Sequence, residues 1–383
     1  MNRLQRVVSI ISIFLLAACG GGGGGGGSTE TVISGVAAKG LLNKGTVTVF
    51  ALKPNGDKGT QLGTGTTDEN GAYRISIGTY NGPVLVEAYG RYTDEATGSS
   101  SVEVPATAPL RAILGNAAGS VTVPVTPLTE LAVLQAKQAV QQAGSLTVAD
   151  VNAINARISD VFKVDILAVT PVAPTTAAFQ ASTQSQKDYA LALAAVSQMM
   201  VGGQSLATTL NNLNAGISSA GMSSGTATAI TTAANSFIVN PENKTGVTTL
   251  VGSALQSVGV KPLKVSIVLA GSAAAIQATL VLPKDVVLRS DTNGAIEQTS
   301  RVLVQSDAAS GLIVGKYNSA TNEVTIGFIN VKSLTAGGIL TLNADLTPGA
   351  TVPDISAFSI SSSTFKDING DAISGASLTL KYL

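Results

Sequence analysis

The sequence predicts a multi-domain chain: an all-β sandwich, then an α-helical bundle, then an all-β sandwich of jelly-roll type. Three observations carry that reading. Residues 30–125 alternate apolar and polar side chains between Asn-Gly turn markers. Residues 126–260 shift to a helical period rich in Ala, Gln, Leu and Ser, and residues 262–383 return to alternation.

The first 29 residues stand apart from these segments. Arg3 and Arg6 precede an apolar stretch from Val7 to Leu16. These are the charged and hydrophobic parts of an export signal, too short to span a bilayer. Leu16-Ala17-Ala18-Cys19 contains the only cysteine and resembles the lipobox of bacterial lipoproteins. The resemblance implies a signal peptide over 1–18, cleaved between Ala18 and Cys19. It also implies a diacylglycerol on the Cys19 sulfur and an acyl chain such as palmitate on its amine, so that lipid holds the chain to the membrane. The unbroken run Gly20 to Gly27, with Ser28 and Thr29, completes a flexible tether over 19–29. Gly20 stands where the inner-membrane retention signal of enteric lipoproteins has aspartate. The expected location is therefore the outer membrane, with the periplasmic and surface-exposed faces both open.

Composition narrows the chemistry. Lys+Arg and Asp+Glu balance at 23 each and charged residues are 12 % of the chain, so no basic surface invites nucleic acid. The chain has no histidine, which excludes Ser-His-Asp catalysis and His-ligated zinc or haem. With Cys19 lipidated, no thiol is left for a nucleophile or a disulfide. There is no tryptophan, and only 7 Tyr and 8 Phe, which weakens a carbohydrate-binding reading without removing it. An enzyme would have to work with carboxylates, Lys, Tyr or Ser, and the chain is read as a non-enzyme.

In the first folded segment, 30–125, Val32–Val36 and Thr46–Phe50 read as strands, as do Ala72–Ile77 and Val84–Tyr89. Asn55-Gly56, Asn70-Gly71 and Asn81-Gly82 supply turns, because Asn and Gly accept positive φ. Spacing of about a dozen residues argues a small antiparallel sandwich. Ser34-Gly35-Val36, Gly45–Val49 and Thr66–Tyr73 resemble the carboxypeptidase-regulatory-like, or transthyretin-like, β-sandwich of bacterial surface proteins. That family serves as a stiff spacer or accessory module, and the resemblance supplies no catalytic residues. Gly82–Glu87 and Tyr92–Gly98 look like a recurring feature of the same lipoproteins. Within it, Asp94 and Glu95 suggest a catalytic pair. On a strand, however, neighbours face opposite ways and do not converge on one atom, so the pair reads as structural unless the segment is a loop. Asp68 and Asn70 fit a plain turn as well as a calcium contact.

In 126–260, Thr126-Pro127 starts a helix whose stripe is Leu128, Leu131, Ala132, Ala139, Val140 and Ala143, ended by Gly144. A second opens at Thr147 with Asp150 three residues on, a capping-box spacing, and carries Val151, Ile154, Ile158, Val161 and Phe162. After a linker around 169–176, stripes follow at Tyr189–Met200, Leu206–Ile217, Ile230–Phe237 and Val247–Leu255. The runs Thr126–Ala132 and Asp188–Ala194 look like the helical companion of the same lipoproteins. The segment reads as a small bundle, or as a packing layer on the first sandwich. No polar side chains in it meet at a spacing that chemistry requires.

In 262–383 the alternating sets are Leu263/Val265/Ile267/Leu269, Ile276/Ala278/Leu280/Leu282, Val324/Ile326/Phe328, Leu340/Leu342/Ala344/Leu346 and Leu378/Leu380. Asn293-Gly294 and Asn369-Gly370 supply turns. Asn322–Phe328, Ala336–Leu342 and Phe365–Asp371 resemble the cohesin and carbohydrate-binding-module superfold. The resemblance implies a sheet face that binds a protein partner or a polysaccharide. Asp367, Asn369 and Asp371 are the calcium candidates, but an EF-hand loop wants glycine sixth and glutamate twelfth. Here Gly370 is fourth and Leu378 twelfth, so a hairpin turn accounts for them better and calcium is the lesser reading.

The expected function is that of a non-catalytic envelope lipoprotein that binds or scaffolds through its cohesin-like domain. The alternative is a polysaccharide-binding accessory lipoprotein. A carboxylate-pair hydrolase, which needs two acids about 5–10 Å apart in a cleft, finds no support in the sequence.

Overall fold

The computed structural model describes residues 30–100, 102–172, 177–250, 253–288, 290, 293–296, 303–305 and 311–383. The lipobox reading at Ala18 and Cys19, and the tether to Thr29, lie outside these residues. Most of the regular structure is antiparallel β-sheet, with helices between two runs of strands.

The first run comprises β1 (Val32–Val36), β2 (Asn43–Leu52), β3 (Lys58–Thr66), β4 (Ala72–Ser76), β5 (Gly82–Tyr92), β6 (Val102–Val104), β7 (Leu110–Ala117) and β8 (Ser120–Thr122). One sheet has the order β4-β1-β8, the other β3-β2-β5-β6, with β7 also on β5. On β2, Val47 and Val49 are buried while Thr48 between them is partly exposed, the alternation that a one-sided sheet requires. The pairing departs from the expected all-antiparallel pattern at one place: β1 and β8 run parallel, Val32 opposite Ser120. Strands β4 and β5 lie in different sheets, and the turn before Asn81-Gly82 sits on Gly78 at φ 65°.

The helices are α1 (Pro127–Ala143), α2 (Val148–Phe162), α3 (Ala177–Gln180), α4 (Gln184–Met200) and α5 (Leu206–Ala215). A two-residue hairpin, β9 (Ile217–Ser218) with β10 (Gly221–Met222), leads to α6 (Ser224–Ile238). Thr126 caps α1 by accepting from Leu128 N and Thr129 N, and Gly144 ends it at φ 81°. At α2 the expected box is present: Thr147 accepts from Asp150 N and Asp150 accepts from Thr147 N. Among the described residues the sixth stripe forms no α-helix. Val247–Leu250 carry no regular structure and Ala254–Ser257 is a single 3-10 turn. Gly246 at positive φ and the β-branched pair Thr248-Thr249 disfavour a helical start there.

Helices α1 and α2 pack on β7. Asn155 of α2 donates to Ile113 O at 2.9 Å, and Thr129 of α1 donates to Arg111 O at 2.9 Å. Arg111 on β7 forms a two-bond pair with Glu130 on α1. One apolar cluster therefore runs from Ile33 in β1 to Val258, through both sheets of the first run and the helices.

The second run is β11 (Lys261–Ala270), β12 (Ala273–Val281), β13 (Val286–Val287), β14 (Leu303–Gln305), β15 (Leu312–Asn318), β16 (Glu323–Leu334), β17 (Gly337–Leu346), β18 (Ser359–Lys366) and β19 (Ser377–Tyr382). One sheet has the order β13-β17-β11-β19 with β14 also on β17, the other β15-β16-β12-β18. All their pairings are antiparallel. The alternating sets read from the sequence are the inward sides of β11, β12, β16 and β17, and they form a second apolar cluster with Tyr317 and Phe365.

Candidate functional site: a buried lysine centre and an apolar sheet face

Two places hold side chains in arrangements that a plain core or a solvated surface would not produce. The first is between the β1–β2 connection, the loop after β5, and α4. Lys39 lies in that connection with its side chain 0 % exposed, against Asp94 at 9 % and Glu95 at 2 %. Its Nζ is 3.2 Å from Asp94 Oδ2 and 3.2 Å from Glu95 Oε2, and it donates to Ser197 Oγ of α4 at 2.5 Å. The Ser197 hydroxyl in turn donates to Glu95 Oε2. The Tyr92 ring covers the ammonium at 5.0 Å from its centroid. Burial opposes the lysine charge, but Glu95, Tyr92 and Asp94 outweigh it and hold the ammonium pKa above its ordinary value.

Local sequence explains how the pair comes together. Tyr92 is the last residue of β5, and Asp94–Gly98 form a turn in which Asp94 O accepts from Gly98 N. Asp94 and Glu95 therefore lie off the strand, in a loop where both carboxylates reach one amine. Gly40 allows the approach. It has φ 63°, and a Cβ there would lie 2.1 Å from Thr93 O. The sequence reading did not single out Lys39 or Ser197. The available signal was a lone charge in Val36-Ala37-Ala38-Lys39-Gly40-Leu41-Leu42, which a solvated strand or turn does not need.

Asp367, Asn369 and Asp371 form a closed turn. Asp367 Oδ1 accepts from Asn369 N at 2.8 Å and Asp371 N at 2.9 Å, and Gly370 has φ 87°. Asp68 does the same at Asp68-Glu69-Asn70-Gly71, accepting from Asn70 N at 2.8 Å and Ala72 N at 2.9 Å. The two sandwiches share one turn chemistry, an aspartate closing a hairpin whose glycine takes positive φ. Among the described residues no group of three or more His, Cys, Asp or Glu is placed to hold a metal ion.

The second place is the outer face of the β15-β16-β12-β18 sheet. Leu312 is 66 % exposed, Val314 57 %, Ile329 60 % and Val331 81 %. The register sets the first three close together, and Val331 follows Ile329 two residues on along β16: Leu312 is opposite Ile329, which is opposite Ala275, which is opposite Lys366. In the next row Val314, Gly327, Gln277 and Thr364 follow one another. A dent of about 260 Å³ near Gly327 is walled by Leu312, Val314 and Ile329. The aromatic residues of these strands, Tyr317, Phe328 and Phe365, all point into the core. Lys316 and Lys366 are exposed on the same face, and neither forms an ion pair among the described residues.

Comparison with protein-family models, curated proteins and solved structures returns no match.

The arrangement of the face therefore carries the functional argument alone. An apolar sheet surface of β-branched and leucine side chains gains free energy when another surface covers it. Lysines at its border suit carboxylates on that partner. Sequence alternation alone placed Val324, Ile326 and Phe328 inside. The intervening positions were not read as a binding surface, because strand period does not say which exposed apolar residues are neighbours across strands.

Proposed function

We propose that the chain is a non-catalytic, lipid-anchored lipoprotein of the outer membrane, whose cohesin-like C-terminal jelly roll docks a protein partner on the β15-β16-β12-β18 face. The transthyretin-like first sandwich, with its helical companion, acts as the spacer, and the polyglycine segment supplies reach. The observation that carries this reading is the contiguous exposed set Leu312, Val314, Ile329 and Val331. Sugar recognition rests on exposed aromatic rings, and this face has none among its described residues. Aliphatic side chains around a shallow dent instead favour the side chains of a protein.

Full-length protein displayed on beads, with Ile329→Lys beside it, tests the face against an envelope extract. The variant places a solvated charge at an exposed position, so stability should change by no more than about 0.5 kcal/mol. A partner retained by the wild type and held at least ~10-fold more weakly by the variant, about 1.4 kcal/mol, supports the reading. Equal retention by both removes the face from the function.

A polysaccharide reading has one observation in its favour, a cleft of about 790 Å³ on the first sandwich. Tyr89, partly exposed, lines it with Asn43, Lys44, Arg91 and Glu103, one ring beside polar groups that sugars use. A glycan bound by the wild type and by Ile329→Lys alike, but lost with Tyr89→Ala, would favour this second reading.

A further inference from the structure

We propose that Lys39 and Asp94 become joined by an amide bond between their side chains, formed within the folded chain with Glu95 as proton carrier. The inference is independent of the docking face and rests on the buried centre.

All the parts of such a condensation are in place. The nucleophile is Lys39 Nζ, 3.2 Å from Asp94 Oδ2 and held there by Ser197 Oγ and Glu95. The electrophile is the Asp94 carboxyl carbon. Its other oxygen, Oδ1, accepts from Ala96 N at 3.0 Å, Thr97 N at 3.0 Å and Thr97 Oγ1 at 3.1 Å. Three donors fixed on one oxygen are what a tetrahedral intermediate needs, because attack at the carbon builds negative charge on that oxygen. The proton carrier is Glu95, with Oε2 3.2 Å from Nζ and Oε1 fixed by Gly40 N at 2.5 Å. Holding all three groups in contact, away from water, removes most of the entropic barrier to a reaction that is negligible between free side chains.

The balance closes without a further reagent. Glu95 takes one proton from the ammonium and passes it to Asp94 Oδ2, and the neutral amine then attacks the carbon of the neutral carboxyl. Glu95 carries a second proton from the nitrogen to Oδ2, which leaves as water. The product is a secondary amide, and Glu95 returns to its starting state. Gly40, Tyr92 and Glu95 line the inner wall of the cleft on the first sandwich, which gives the water a way out. The bond converts one buried positive and one buried negative charge into a neutral amide, and the water formed leaves the interior. Glu95 keeps the Gly40 N–H and the Ser197 hydroxyl and gains the amide N–H.

Peptide mapping of the full-length protein by mass spectrometry tests the bond. Trypsin should fail to cut at Lys39, and one branched peptide should join the Lys39 and Asp94 segments, lighter by one water than the two together. Fragmentation should put the branch on Asp94. Glu95→Gln should remain folded by circular dichroism and lack the branched peptide. A Lys39 that trypsin cuts normally in the wild type overturns the proposal whatever the variant does. A branch on Glu95, or a branch that survives in Glu95→Gln, overturns the assigned roles.

Discussion

At the scale of single residues, the interior is notable for polar groups kept dry. Tyr73 is buried against Val123 O, to which its hydroxyl donates. Tyr189 is buried between Thr126 Oγ1 at 2.8 Å and Ile166 O at 3.2 Å. Burial pushes both phenols well above the ordinary tyrosine value of 10.0, and for Tyr189 the Thr126 bond offsets only part of that. The sign of the linkage follows. A phenol raised in the folded state contributes stability that is complete below the unfolded value, and this is lost as pH climbs above it. Alkaline titration followed at the tyrosinate absorbance should show Tyr73 and Tyr189 ionising only as the chain unfolds. Tyr73→Phe and Tyr189→Phe should each remove one such late step. Early, reversible ionisation of all the tyrosines would contradict the packing. Of these partners the sequence showed only the helical placement of Tyr189. The carbonyls that satisfy Tyr73 and Tyr189 are supplied by segments distant in the chain.

At the scale of elements, helix ends were the most legible feature. Thr126-Pro127, Gly144 and the Thr147–Asp150 pair are local signals, read within one turn of chain, and each occurs where expected. Thr147→Ala should cost about 1 kcal/mol, because it leaves Asp150 N without its acceptor at an exposed end. Urea denaturation followed by circular dichroism would measure it, and no change in midpoint would mean the box is idle. The failure at 247–255 has the same root in reverse. An apolar spacing of Val247, Leu250 and Leu255 fits a helical face, but the chain there buries Leu250 and Leu255 without forming one. Burial by neighbouring helices, rather than period, sets that backbone. The Asp94–Glu95 segment shows the complementary case, where ending β5 at Tyr92 turns two side chains that a strand would separate toward a single amine.

At the scale of the whole molecule, two apolar clusters divide the described residues near Val260: one through the first sandwich and the helices, one within the second sandwich. Phe328 is fully buried in the second. Phe328→Ala should therefore destabilise by about 3–5 kcal/mol, with the loss confined to one of two unfolding transitions. Calorimetry should show one peak moving and the other fixed. A single transition moving as a whole would mean that the clusters unfold as one unit. The same division places the buried lysine centre in the first unit and the apolar face in the second, so substitutions at one should leave the other's measurements unchanged.

What the sequence determined by itself was periodicity: where the chain is strand, where it is helix, and which side of each element faces inward. Those properties depend on residues within a few positions of one another, and the inward sets of β11, β12, β16 and β17 were legible for that reason. Tertiary structure alone decided which outward side chains are neighbours and which buried charges meet. Leu312 and Ile329 adjoin because a strand register aligns them. Lys39, Asp94 and Ser197 meet because the β1–β2 connection, the loop after β5 and α4 converge on one dry point. Such contacts join residues distant in sequence, and their free energy comes from excluding water at places that no local pattern marks.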